Sequence, residues 1–424
     1  MRKLFYWAFA FSLCVLMGCK DDGVRVEVVR YAINEPVFMS ISEFRNSVKV
    51  TDEVVPITKR GKICFYKDYL YISSPDKGIH IVDNRNPASP RIAGFVELIG
   101  NEDLSIKDDK LYADSYVDLV WFDISDPERP ELEGRVENAF RYALPTIENG
   151  YGFDYNMCYS EEARAKGVVV GWEPKEREET IYHYPSYGGD LMANDAASGT
   201  STQGVNGSMA RFSIYGKYLY TVEQNIMCVF DLSGDKPVLT TNDIWLQRGV
   251  ETLFNYKDKM FMGTPTGMLI YSLEDSLEDP LAPKYRSSVS HVFGCDPVVV
   301  EDDLAYVTVH SGNTCGQNTN ELMLIDVSDV DQPNLLVTYG MKCPKGLGID
   351  NGTLFLCDEG LKVFNAKDPM TLLANQLVHY AGMEGYDVIP FKNTLMMIAD
   401  DGLYQYDYSN LQAISQLSKL PMGE

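Results

Sequence analysis

Five charged residues recur at one offset. Asp103, Arg211, Glu251, Asp296 and Asp387 each stand nine or ten residues before a short apolar triplet, centred in turn on Tyr112, Tyr220, Phe261, Tyr306 and Met396. If the triplets belong to equivalent units around an axis, four carboxylates and one guanidinium gather at one mouth of a channel. Such a funnel would hold a cation or a polar ligand, and crowded like charges push carboxylate pKa values upward, the setting for acid and base chemistry. The same positions would equally serve to bond backbone groups of the next unit and fix the ring. Other chemistry is thin: the chain has no GxSxG elbow, HExxH pair, CxxC pair or phosphate-cradling glycine loop. His291 and His310 flank Cys295 and Cys315. Two imidazoles and two thiolates form a zinc-type set, but strand spacings of four and five residues do not converge. A disulfide between Cys295 and Cys315 uses the same thiols and is the expected pairing. His80 lies inside a strand pattern and is expected to be partly exposed. No catalytic residue, metal or cofactor is assigned.

The elements that must position these residues are short strands. Seven triplets can be overlaid, centred on 71, 112, 220, 261, 306, 355 and 396, at intervals of 41, 108, 41, 45, 49 and 41 residues. Each follows a β pattern with a tight polar turn, such as Lys107-Asp108-Asp109. A third strand then ends at Asp83, Asp123, Asp231, Ser272, Asp326, Asn365 or Asp407. A fourth strand comes after a turn of the Ser125-Asp126-Pro127 or Ser328-Asp329-Val330 kind. Four short strands per period of about 40 to 50 residues, with turn residues at fixed offsets, mark propeller blades. The expectation is an all-β, seven-bladed β-propeller over 57–424, with strand-end carboxylates making local turns. The 108-residue interval holds one long insertion, about 143–208. It contains a strand-like run at 167–172, a charged run at 173–179 and a Gly, Ser, Asn and Thr rich tail.

The N-terminus reads differently. Arg2 and Lys3 precede an apolar run, Leu4 to Val15, too short to span a bilayer, and then Leu16-Met17-Gly18-Cys19. This resembles a bacterial lipoprotein signal, which implies removal of 1–18, acylation of Cys19 and an outer-membrane lipid anchor. Lys20-Asp21-Asp22 resembles the signal that exports Bacteroidota lipoproteins to the cell surface. Residues 19–56 are then a tether with strands that start or close the fold. Asp275-Ser276-Leu277 resembles a Bacteroidota O-glycosylation site at Ser276. The 61 acidic against 37 basic residues give a net charge of -24, a field that repels phosphate backbones and argues against nucleic acid. Of seven cysteines besides Cys14 and Cys19, Cys64, Cys228 and Cys357 sit in strand patterns as small buried hydrophobes.

Ile79-His80-Ile81-Val82-Asp83 and Leu322-Met323-Leu324-Ile325-Asp326, each followed by a Pro-containing turn, resemble the LVIVD repeat of bacterial surface lipoproteins. The resemblance implies a propeller and is almost silent on activity. The expected role is a non-catalytic binding or scaffold module for an envelope protein or an extracellular polymer. The alternative is a carboxylate-dependent glycan hydrolase or lyase at the channel mouth.

Overall fold

The computed structural model describes residues 25–59, 61–183, 211–223, 225–247, 249–273, 283–290, 297–310 and 319–423. Seven antiparallel sheets form the blades, each built from four strands consecutive in sequence. In blade one these are Ile63–Tyr66, Tyr69–Ser74, Gly78–Asp83 and Arg91–Glu97. The first strands of the other blades are Leu104–Lys107, Phe212–Tyr215, Thr252–Tyr256, Val298–Glu301, Leu347–Asp350 and Gly385–Phe391. From blade one to blade seven, successive first strands lie beside each other, so they surround the central channel.

Side-chain alternation explains why such sheets stack. Leu70 and Ile72 face blade seven, packing with Met396, Ile398 and Leu403, whereas Tyr71 between them faces blade two with Leu111, Val120 and Phe122. Each of the seven gaps between blades holds its own apolar cluster. The rings of Tyr71, Tyr220 and Tyr406 are fully buried in these wedges.

Two kinds of turn recur among the blades. Five of the first hairpins carry paired positive φ values, as at Lys67 and Asp68 (44° and 64°), Asp302 and Asp303 (50° and 60°) and Lys392 and Asn393 (48° and 63°). This geometry matches the twist of two-residue hairpins. After the third strand, the side chains of Asp83, Asp123, Asp231, Asp326 and Asp407 accept hydrogen bonds from the backbone N–H two residues on. Asn365 makes the same bond to Lys367, so replacement of the acid by its amide leaves the turn intact.

The ring closes by side-chain packing. Blade seven is completed by its own strand, Ser415–Pro421, and Lys49–Thr51 adds a fifth strand to the outer edge of blade one. Across the junction Asn84 and Gln405 exchange amide hydrogen bonds of 3.0 and 2.7 Å, both buried, and the Ser418 hydroxyl donates to Pro87 O at 2.6 Å. The Gly423 N–H also donates to Ile57 O at 2.9 Å.

The insertion leaves the fourth strand of blade two and returns at the first strand of blade three. It forms helices Tyr155–Tyr159 and Glu161–Lys166 and a strand, Val168–His183. That strand joins the strand-like run and the charged run into one element. It pairs antiparallel with Arg25–Met39, so the N-terminal segment and the insertion share a two-stranded ribbon. Among the described residues, no helix is long and apolar enough to cross a membrane.

Candidate functional site at the channel mouth

All innermost strands begin on one face of the disc, and the insertion leaves from the same face. Three of the expected mouth residues, Asp103, Arg211 and Glu251, directly precede innermost strands, and Asp387 stands at the third residue of one. Asp296 lies outside the described residues, as do Cys19, Ser276, Cys295 and Cys315.

Asp103 is buried at the junction of the first three blades. Its Oδ1 lies 3.0 Å from Lys62 Nζ and accepts the Leu104 N–H at 2.7 Å; its Oδ2 accepts the N–H groups of Arg211 and, at 3.3 Å, Phe212. Lys62 Nζ also donates to Phe212 O at 3.1 Å, so one ammonium ties blade one to blades two and three. Burial acts to lower the Lys62 pKa, but Asp103, Cys64 and Asp387 together outweigh it and hold the lysine above its ordinary value. Burial raises Asp103 despite that cation. Lys62 stands nine residues before Tyr71, the same offset that singled out the other five. The signal is present in the sequence, where a lysine takes the position that carries an acid or arginine before five of the other triplets.

Arg211 forms an ion pair with Glu102, and burial lowers its pKa. Glu102 is also bonded by Thr146 of the insertion, at 3.4 Å. Glu223, within electrostatic reach of Arg211, is pushed up to about 7, chiefly by burial. Asp114 accepts the backbone N–H groups of Glu102 (2.7 Å) and Asp103 (3.0 Å) and the Asn101 amide (3.0 Å); burial raises it well above the ordinary carboxylate value. Glu102, Asp114 and Glu223 were not legible as mouth residues, because only the folding of neighbouring blades brings them to Arg211 and Asp103.

On the other side of the mouth, Asp387 accepts the N–H of Val388 at 2.7 Å and faces Gly346 of blade six, where a Cβ would sit 3.1 Å from its Oδ1. Glu251 is half-buried, and its backbone N–H bonds Gly263 O at 2.9 Å. Nearby, between blades six and seven, a cleft of about 380 Å³ is lined by Lys345, Glu359, Glu384 and Asp400. The Lys345 ammonium is 3.9 Å from the Tyr386 ring centroid and pairs with Glu384.

Four further residues complete the comparison with expectation. His80, expected to be partly exposed, is 1% exposed and lies 4.7 Å from the Phe95 ring. The fifth strand and the segment after it cover this side of blade one, which a local alternation pattern cannot register. Burial lowers His80 to about 4. Cys228 and Cys357 are buried and Cys64 is half-buried. Among the described residues, no three His, Cys, Asp or Glu side chains are placed to share a metal ion.

The LVIVD repeat matches at residues 61–97, 102–138 and 296–340, which span the four strands of blades one, two and five. No curated protein sequence matches the chain. Among solved structures, the Pan2 WD40 domain of Neurospora crassa is similar at a TM-score of 0.50, with 9% identity over 87% of this chain and 92% of that one. The computationally designed Ika8 protein has a TM-score of 0.49 and 10% identity, covering 86% of this chain and 87% of its own. Saccharomyces cerevisiae Sqt1 has a TM-score of 0.48 and 8% identity, covering 92% and 90%. At such identities likeness concerns fold alone. The chain is a seven-bladed β-propeller that carries LVIVD repeats.

Proposed function

We propose that this protein is a lipid-anchored lipoprotein of the outer membrane, exposed at the cell surface, that works as a non-catalytic binding or scaffold module for an envelope protein or an extracellular polymer. The observation that carries the reading is Asp103. This best-placed mouth carboxylate is saturated by one ammonium and three backbone N–H groups, which fixes the ring and leaves little capacity for chemistry. A stiff disc with an insertion and a ribbon on one face supports contact with a macromolecule. The anchor would be Cys19, and Ser276 would carry a glycan.

The test is pull-down from gently solubilised outer membranes with a tagged copy, against a Cys19→Ala control. Stoichiometric recovery of one envelope protein by the wild type only is the expected result; recovery of nothing, with glycan arrays also negative, would remove the binding reading. A second reading, a hydrolase or lyase acting on a glycan, is favoured by Glu223, whose proton is held near neutral pH beside Arg211. It predicts that Glu223→Gln or Asp387→Asn abolishes turnover of a polysaccharide panel while the fold persists.

A further inference from the structure

The N-terminal chain meets the disc on the mouth face. Phe44 packs on Tyr116 and Val168, and Arg45 bonds Asp118 at 2.9 Å. Tyr116 lies in the turn between the second and third strands of blade two and Asp118 opens the third strand, on the side where innermost strands begin. The ribbon leads away from that point. Met39 is opposite Val168 at the disc end, and Arg25 is opposite His183 at the far end of this fifteen-residue strand. At a rise of about 3.3 Å per residue the ribbon is about 50 Å long.

Its inner part is held down by the insertion. Asn34 is fully buried and exchanges amide hydrogen bonds of 2.9 and 2.8 Å with Asn149. Its outer part stands in solvent: Val28 is 58% exposed, and the cross-strand pair Arg30 and Glu178, 2.5 Å apart, is largely exposed on both sides. With an anchor at Cys19, Arg25 follows six residues on, so the anchor holds the mouth side through this ribbon.

We infer that the ribbon is a spacer that holds the disc off a membrane with its mouth face turned toward that membrane, and that this face docks a membrane-embedded protein presenting basic loops. The inference rests on the lipid-anchored reading above. Charge selects the partner. On the mouth face, Glu359, Glu384 and Asp400 surround the cleft with Lys345 as its one cation, and the ribbon run 173–179 carries four glutamates against Lys175 and Arg177. An anionic lipid surface repels such a face, whereas lysine and arginine side chains complement it.

The test separates orientation from anchoring. The chain from residue 20, with an N-terminal hexahistidine, is tethered to vesicles containing a nickel-chelating lipid and an acceptor-labelled lipid. A donor is coupled to azidophenylalanine placed at exposed Tyr155, in the insertion, or at exposed Leu411, in a turn on the opposite face. Energy transfer several-fold stronger from position 155 is expected; equal or reversed transfer overturns the orientation. In intact cells, the same residues are photo-activated. A cross-link to an integral membrane protein from 155 and not from 411, weakened by high salt, is expected; adducts from 411 alone, or none from either, overturn the docking face. If the Cys19→Ala chain stays in the membrane fraction, the lipid-anchored reading fails, while the tethered-vesicle result still decides the orientation.

Discussion

Lys62 of blade one and Asp103 of blade two form a buried ion pair, 3.0 Å from Nζ to Oδ1, and the same ammonium reaches the backbone carbonyl of Phe212 in blade three. The first three blades are thus joined at the mouth by one lysine. Removing a single partner strands the other charge in a poorly hydrated site, which costs about 3 to 5 kcal/mol. Asp103→Ala and Lys62→Ala should each lower stability to urea by roughly that amount, and the double Lys62→Met, Asp103→Leu variant should lose much less than the sum. Additive losses would show that the two side chains do not act as a pair.

The seam between blades one and seven makes its own prediction. Asn84 and Gln405 satisfy each other in a buried setting. Replacing either with alanine leaves an unpaired buried amide, at a cost of about 1 to 3 kcal/mol. A double-mutant cycle measured by chemical denaturation should give a coupling of at least about 1 kcal/mol.

Three glycines occupy one place in three blades. Gly78, Gly267 and Gly360 have φ of +145°, +149° and +113°, and a Cβ there would meet the carbonyl oxygens of Val96, Val289 and Tyr380 at 1.9, 2.1 and 2.0 Å. Each alanine variant should lose about 2 to 3 kcal/mol, from positive φ and from backbone that cannot yield. Gly152, without a positive φ and with nothing within 4 Å of its Cβ position, is the control. A melting temperature for Gly267→Ala equal to that of the wild type would refute the packing.

Two buried groups oppose each other in pH dependence. Glu223 is raised to about 7, so the folded state holds its proton more tightly than the unfolded chain. The stability it contributes is complete below its ordinary value of 4.5 and is lost as pH rises through 7. His80 is lowered to about 4, so its contribution is complete above 6.5 and is lost as pH falls through 4. Between these limits the slopes partly cancel. Glu223→Gln should make stability rise more steeply from pH 4.5 to 7 than in the wild type, and His80→Phe should make it fall over the same range. Parallel profiles for all three proteins would contradict both assignments.

How much of this was legible depends on distance along the chain. The seven units, their hairpin turns and their strand-end carboxylates could be read because each rests on bonds between residues a few positions apart, such as Asp326 with Ser328. The offset that found Asp103 and Arg211 also marks Lys62, because blades one to three share a four-residue first strand followed by a two-residue turn. The pairing of Arg25–Met39 with Val168–His183 left no local trace, since each segment is only half of a ribbon whose two strands lie far apart in sequence.

The amino-acid order therefore determined the repeating module and the number of its copies, through alternation and turn chemistry that act within a few residues. Tertiary structure alone decided which charges at the mouth neutralise each other, why His80 is dry, and on which face the N-terminal chain departs. Those outcomes depend on contacts between blades, where the partners are brought together by closure of the ring and by the insertion, and no spacing within a single repeat encodes them.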